Sequence, residues 1–216
     1  GRFAEIALST GAIVVALDYS TAVDACYKNL GHHPNLHIIQ GDIYALPFEK
    51  ESFDYVYSLG VLQHTPDVKK AFFCLPSMLR SKGKICVDFY EKSWKSILLP
   101  KYWLRPISKR IPQDKLFSYL ESLTPALLSI SIMLGKIPGI GKLLKRMVPV
   151  ANLSDELSLN KKQLREWALL DTFDWLSPEY DNPQKRSDLL GWLAESNMQN
   201  GEVLKAHHLV LRGVIQ

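Results

Sequence analysis

Over the first ninety positions, short apolar runs of strand length alternate with stretches whose apolar residues recur at helical spacing. Residues 12–17 form an unbroken run of Ala, Ile, Val and Leu that ends at Asp18, the pattern of a parallel strand covered on both faces. Ahead of it, Phe3, Ile6 and Ala7 share one helical face within residues 2–9. Behind it, Ser20 is a candidate N-cap for a helix that runs to Leu30 and closes at Gly31. Residues 36–40 predict the next strand, ending in Gly41-Asp42. A loop with Leu46-Pro47-Phe48 leads to a strand over 53–59, ended by Gly60. Pro66-Asp67 opens a predicted helix to about residue 79, with Ala71, Phe72, Leu75 and Leu79 inward. Lys82-Gly83 then turns the chain into a strand over 84–89. Strands and helices in this alternation predict an α/β fold: a Rossmann-like, mostly parallel sheet with helices on both faces.

The pattern changes at residue 92. Pro100, Pro106, Pro112, Pro125, Pro138 and Pro149 punctuate short predicted helices as far as residue 166. From 167 the compact pattern returns, with a predicted helix over 187–196 that turns Leu189, Leu190 and Leu193 inward. Two closing antiparallel strands are expected, at 203–204 and 208–211. The expected organisation is a core of residues 1–91 and 167–216 interrupted by a helical insert, or lid, at 92–166.

Charge sharpens that division. The overall formal charge is +4, yet residues 92–166 hold 14 Lys or Arg against 5 Asp or Glu, a net of +9 that leaves −5 for the rest. The mixture of basic and apolar residues at 94–104 and 142–147 suits peripheral contact with a membrane or an anionic, lipid-like substrate. It also suits, compatibly, a lid with solvated charges and apolar faces turned to a cleft. The acidic sheet half has no basic stripe interleaved with aromatics, which argues against nucleic acid. Cys26, Cys74 and Cys86 are scattered and odd in number, which suits a reducing, cytoplasmic setting and neither a disulfide framework nor a metal site. No basic segment followed by an apolar run opens the chain, so no signal peptide is expected. The longest apolar stretch, 123–134, is broken by Thr124, Pro125, Ser129 and Ser131. It is shorter than the roughly 20 residues of a membrane span.

The chemistry gathers at the ends of the predicted strands. Gly1 stands at a helix start, and Asp18 and Asp42 end consecutive strands. Ser58-Leu59-Gly60-Val61-Leu62-Gln63-His64-Thr65-Pro66-Asp67 follows the next one. In an open α/β sheet, ligands bind at the carboxyl ends of strands. A glycine at a helix start followed by a strand ending in a carboxylate is how a Rossmann-type fold holds adenosine, the acid gripping the ribose hydroxyls. The strand and most of the loop expected before Gly1 are not in the sequence, so an N-terminally truncated domain is expected.

Over residues 1–91 the chain resembles the class I S-adenosylmethionine-dependent methyltransferases, in their small-molecule, type 11 branch. The string from Leu59 to Asp67 is the most specific part of the likeness. The resemblance implies that Gly1 approaches the methionine part of S-adenosylmethionine, that Asp18 binds the ribose diol and that Tyr19 flanks the adenine. It implies that Asp42 accepts from the adenine amino group while Ile43 packs on the ring. Ser58, Leu59, Gly60 and Val61 would line the methionine pocket. The implied reaction is methyl transfer by in-line displacement to a small-molecule or lipid-like acceptor, leaving S-adenosylhomocysteine. Farther on, residues 167–184 resemble a segment of bacterial methyltransferases that carry a basic helical insert. There Asp171, Asp174, Tyr180 and Gln184 are candidates for the substrate side.

Each of these residues also has a plainer role open to it. Asp18 and Asp42 suit strand-end turns. His64 is a candidate general base because its ordinary pKa lies near neutrality, or it simply orders its loop. The aromatics and prolines of 167–184 suit packing of the insert. Two rival functions share the glycine and the ribose acid: an NAD(P)-dependent oxidoreductase, and a methyltransferase-like binding module without catalysis. Asp42 and the loop after Gly60 disfavour the first. The presence of both acids disfavours the second.

Overall fold

The structure, a computed structural model, describes residues 1–93, 99–155, 158–196, 198–206 and 208–216. Residues 94–98 of the basic stretch at 94–104 lie outside the described residues. The chain divides into two compact units, Gly1–Tyr90 with Arg186–Gln216, and Glu91–Lys185.

The first unit runs α1 (Arg2–Leu8), β1 (Val14–Asp18), α2 (Ala22–Leu30), β2 (Leu36–Gln40), β3 (Phe53–Ser58), α3 (Val68–Cys74) and β4 (Leu79–Phe89). The second contributes α4 (Pro100–Ser108), α5 (Gln113–Gly135), α6 (Gly141–Met147) and α7 (Lys161–Leu176). The chain then returns to the first unit for α8 (Arg186–Glu195), β5 (Gln199–Lys205) and β6 (Leu209–Val214). The fold is the expected α/β class with Rossmann-like strand–helix alternation. Its strands fall into two sheets among the described residues: a parallel pair β1–β2, and β3–β4–β6–β5. In the second sheet β3 runs parallel to β4, and β6 is antiparallel to both β4 and β5, as expected for the closing strands. The outer edges of β1 and β3 carry no ladder partner among the described residues.

Alternation builds the main core. Ile85, Val87 and Phe89 of β4 and Leu209 and Leu211 of β6 point to one face, where Phe72 of α3 and Leu189 and Trp192 of α8 close over them. The Phe72 and Trp192 rings stack with centroids 5.5 Å apart, and Phe89 meets Trp192 edge-on at 5.7 Å. Burying each such side chain contributes about 1.5–3 kcal/mol. The opposite face, with Tyr55, Tyr57, Lys84, Cys86 and Arg212, is largely exposed or half-buried. A second cluster, Ala4, Leu8, Val14, Cys26 and Leu36, packs α1 and α2 on the β1–β2 pair.

Several details depart from the sequence pattern. The run 12–17 is not covered on both faces: Val14 alone in it is buried, Val15 to Leu17 are half-buried and Ile13 is 75% exposed. The helix after β1 has Thr21 at its N-cap position without a side-chain bond; Ser20, one residue earlier, donates to Asp18 and its hydroxyl accepts from the Ala22 N–H at 3.2 Å. The helix from Asp67 stops at Cys74, since Pro76 cannot continue it, and Leu79 opens β4 instead. Leu190, expected inward on α8, is exposed; Trp192 takes the buried position. The helical unit extends to Lys185, so 167–185, including most of α7, lies with it and not with the core.

In the second unit α5 is one helix of 23 residues, not several short ones. Pro125 sits inside it. Measured as a helix rather than as an apolar run, α5 is roughly 34 Å long. By length and composition alone it is the one helix among the described residues able to cross a membrane. Leu116, Leu120 and Leu176, with Phe173 and Trp175 against them, join α5 to α7.

Candidate functional site

The ends of β1 and β2 lie side by side, with Asp18 in register with Gln40 and the Gly41 N–H donating to the Asp18 carbonyl at 3.0 Å. Asp18 and Asp42 are therefore neighbours at one carboxyl edge, both exposed. Asp18 Oδ1 accepts from the Ser20 N–H at 2.8 Å and the Ser20 hydroxyl at 2.7 Å. Asp42 Oδ1 accepts from the Tyr44 N–H at 2.9 Å. Each acid thus uses one oxygen to shape its turn, as the plainer reading requires, and keeps Oδ2 without a hydrogen-bond partner among the described residues. An uncommitted carboxylate oxygen on each acid is the chemistry that a vicinal diol and an exocyclic amine require. The acceptor set at this edge therefore fits an adenosine moiety.

The other sequence candidates lie at the ends of β1, β2 and β3, in the loop after β3 and at the start of α1. The Tyr19 side chain is 77% exposed, and its carbonyl accepts from the Gln40 side chain at 3.2 Å. Ile43 turns toward the protein: its side chain packs on the main core. Gly1 is the N-cap of α1. A Cβ there would stand 3.2 Å from Leu30 Cδ1 and 3.4 Å from Cys26 Sγ, so the observed demand for glycine is the close approach of α2. Ser58 ends β3, and half-buried Leu59 leads to Gly60, whose φ of 73° favours glycine. The Gly60 N–H donates to Asp88 Oδ1 of β4 at 2.5 Å, which fixes the loop. The His64 ring meets Tyr90 edge-on with centroids 5.7 Å apart, and Tyr90 leans on His208 at 5.0 Å.

Three residues the sequence did not single out organise this edge. Tyr44 joins the loop after β2 to the loop after β3: its hydroxyl donates to the Asp67 carbonyl and accepts from the Asp67 N–H, both at 2.9 Å. Asp88 anchors Gly60. Gln63 is fully buried, with neither end of its amide hydrogen-bonded among the described residues.

The 167–184 candidates all lie in the helical unit. Asp171 and Asp174 lie one turn apart on α7, the first half-buried and the second exposed, while Tyr180 is partly exposed in the following loop. Gln184 pins the ends of the unit, its carbonyl accepting from the Lys92 N–H at 2.8 Å and its side chain donating to the Asn182 carbonyl at 2.8 Å. The segment is otherwise held by packing. The buried Arg105 guanidinium donates to the Trp175 and Pro178 carbonyls, both at 2.8 Å, and Phe117 meets Phe173 edge-on at 5.4 Å. The buried acid there is Asp181, paired with Lys101 at 3.2 Å.

No metal-binding cluster of His, Cys, Asp and Glu occurs among the described residues. A broad concavity of about 400 Å³ on the open face of the second sheet involves Tyr55, Tyr57, Lys84, Cys86 and Arg212. It lies along the strands and away from their carboxyl ends. Burial pushes the Cys86 thiol up, with Asp88 adding to the shift and Arg212 opposing it, so no ready nucleophile sits there.

With this geometry in place, residues 1–87 match the family model described as a methyltransferase domain. Over 53 residues the chain is 38% identical to phosphoethanolamine N-methyltransferase 2 of Caenorhabditis elegans, a stretch that covers 24% of this chain and 12% of that protein. Among solved structures, a Pyrococcus horikoshii protein is similar at 24% identity with a TM-score of 0.41, over 45% of this chain and 47% of that one. A SAM-dependent methyltransferase of Methanosarcina mazei is similar at 10% identity with a TM-score of 0.48, over 94% and 81%. The chain thus spans about an eighth of the curated relative and about half of the Pyrococcus protein.

Proposed function

We propose, from the match of residues 1–87 to the methyltransferase-domain family model, that this chain is a class I S-adenosylmethionine-dependent methyltransferase that transfers a methyl group to a small-molecule or lipid-like acceptor. The cofactor of that family is S-adenosylmethionine. When bound, its sulfonium supplies an activated methyl group and a neutral thioether as leaving group. What remains for the protein is to hold the two reactants in line and keep water away, and positioning of this kind contributes about 7–11 kcal/mol of barrier lowering.

In this reading Asp18 receives the ribose hydroxyls and Asp42 the adenine amino group, each through its uncommitted Oδ2. Tyr19 flanks the base, and the Ile43 backbone N–H faces it while the Ile43 side chain serves the core. Gly1 and the Ser58–Leu59–Gly60 loop frame the methionine part. His64, steadied by Tyr90, accepts the proton that an oxygen or nitrogen acceptor releases on methylation. The observation that carries the reading is the pair of acids at adjacent strand ends inside the matched segment.

The excess of cations in the helical unit supports an acceptor with negative charge. The likeness to a protein named for phosphoethanolamine supports including phosphorylated amines in the acceptor class. Asp171, Asp174, Tyr180 and Gln184 stay with this proposal as acceptor-side residues. The free cysteines support a reducing, cytoplasmic setting, with the basic unit in peripheral contact with a membrane.

Calorimetry of the full chain with S-adenosylhomocysteine tests the donor site. Binding is expected, and Asp18→Ala is expected to weaken it by about 10-fold or more, because a hydrogen bond to a charged group contributes roughly 1.5–3 kcal/mol. A folded chain that takes up no S-adenosylhomocysteine would end this reading, and an unchanged affinity in Asp18→Ala would remove Asp18 from it.

A further inference from the structure

Helix α5 wears two stripes. Leu116, Leu120, Thr124, Leu128 and Ser131 are buried. Tyr119, Leu123, Ile130 and Met133, spaced at helical intervals, form a separate stripe that is exposed, Met133 to 63%. The stripe continues past the helix end. Ile137 and Ile140 in the turn, and Leu143 of α6 at 62%, are also exposed. The turn is tight: Gly139 has a φ of 79°, and a Cβ on Gly141 would meet the Gly135 carbonyl at 2.5 Å, so the two helices are held close as a hairpin. Ser131 Oγ donates to the Lys145 carbonyl at 3.2 Å and holds the arms together.

Charge along the hairpin has one sign. Residues 122–154 contain no Asp or Glu. Lys136, Lys142 and Arg146 are exposed beside the apolar residues and form no ion pair among the described residues. Lys145 is spoken for by Asp155, whose carboxyl it holds below the usual range with a smaller contribution from the charge of Lys142. Exposed apolar side chains rimmed by unpaired cations match an anionic bilayer surface, with headgroups for the charges and the acyl boundary for the stripe.

The alternative of α5 crossing the bilayer fits poorly. Only 28% of its most apolar window is buried, but its buried stripe packs on α7, which carries Lys161, Lys162, Arg165, Glu166 and Asp174. A crossing helix would draw those charges into hydrocarbon.

We propose that the α5–α6 hairpin lies on the surface of an anionic membrane, with Ile130, Met133, Ile137, Ile140 and Leu143 entering the headgroup–acyl boundary and Lys136, Lys142 and Arg146 meeting lipid phosphates and carboxylates. The inference stands on the hairpin alone and does not depend on the methyl-transfer reading.

Co-sedimentation of the full chain with vesicles tests it. Vesicles of about 70:30 phosphatidylcholine to phosphatidylserine should retain the protein at low salt and release it as salt rises from about 0.1 to 0.5 M. Pure phosphatidylcholine should retain much less. Each cation near an anionic surface contributes about fivefold, so Lys136→Gln/Lys142→Gln/Arg146→Gln should weaken binding roughly a hundredfold with an unchanged circular-dichroism spectrum. In a second variant, Leu143→Trp, emission should shift to the blue on anionic vesicles and be quenched by brominated lipid. A folded wild type left in the supernatant would overturn the proposal. So would equal binding to both vesicles, or indole emission indifferent to lipid. Self-association abolished by Met133→Ser/Leu143→Ser, without vesicle uptake, would assign the face to a second copy and overturn it as well.

Discussion

Gln63 shows how a single side chain can be at odds with its surroundings. It is fully buried, and its amide oxygen and nitrogen have no hydrogen-bond partner among the described residues. A buried, unsatisfied polar group costs about 1–3 kcal/mol, and Leu62 beside it is core. Gln63→Leu should therefore stabilise the unliganded chain, raising the melting temperature by roughly 2–4 °C for about 1 kcal/mol in a chain of this size. A thermal melt that falls or stays put would show that the amide is satisfied. At this scale the sequence was partly legible. Asp18 ends β1 and Asp42 stands two residues past β2, and a strand's end can be read from where its apolar run stops. Tyr44, Asp88 and Gln63 could not be read. Tyr44 acts on Asp67 and Asp88 on Gly60, 23 and 28 positions away, and no local pattern announces such a contact. Nor does local pattern announce that Ile43 packs against the main core, half-buried.

Proline illustrates both what local pattern settles at the level of elements and what it leaves open. Pro76 ends α3 because a ring without an N–H cannot extend the ladder. Pro125 stands inside α5, which runs on to Gly135. The difference is tertiary. At Pro125, α5 is already held along its length by Leu116 and Leu120 on α7 and by Leu128 beside Ala168 and Val150. A helix held by packing tolerates a missing bond that a free one does not. The start of α7 was legible in principle. The Asn160 side chain accepts from the Gln163 N–H at 3.0 Å while the Gln163 side chain accepts from the Asn160 N–H at 3.0 Å, the reciprocal cap that an Asn followed three residues later by Gln announces. Asn160→Ala should cost about 1 kcal/mol, read as a lower denaturant midpoint with an unchanged slope. A midpoint within error of wild type would mean that packing alone sets where α7 begins.

Across the whole molecule the net charge of +4 is the sum of a basic middle and an acidic remainder, and the structure draws its own boundary at Glu91 and Lys185. Composition revealed the existence of the helical unit. It did not reveal its end, because residues 167–185 hold four acids against one Lys, unlike the basic stretch before them, yet are tied to α4 through Arg105 and Ser108. The division into two sheets was not legible either. Strand character is local, whereas pairing depends on which neighbour stands within ladder distance.

That pairing has a colloidal consequence. The outer edge of β1 has no strand paired to it among the described residues, along a run from Ile13 to Leu17 with no charge and no proline. Such an edge is a template for any extended backbone that meets it, including β1 of another molecule. The isolated chain should therefore lengthen into strand-paired oligomers as it is concentrated, with light scattering and thioflavin fluorescence rising together, and Val15→Lys should delay both. Scattering that stays flat with concentration would mean that this edge is guarded. Otherwise the edge sets an upper limit on the concentration at which the chain can be handled, independent of how stable its core is.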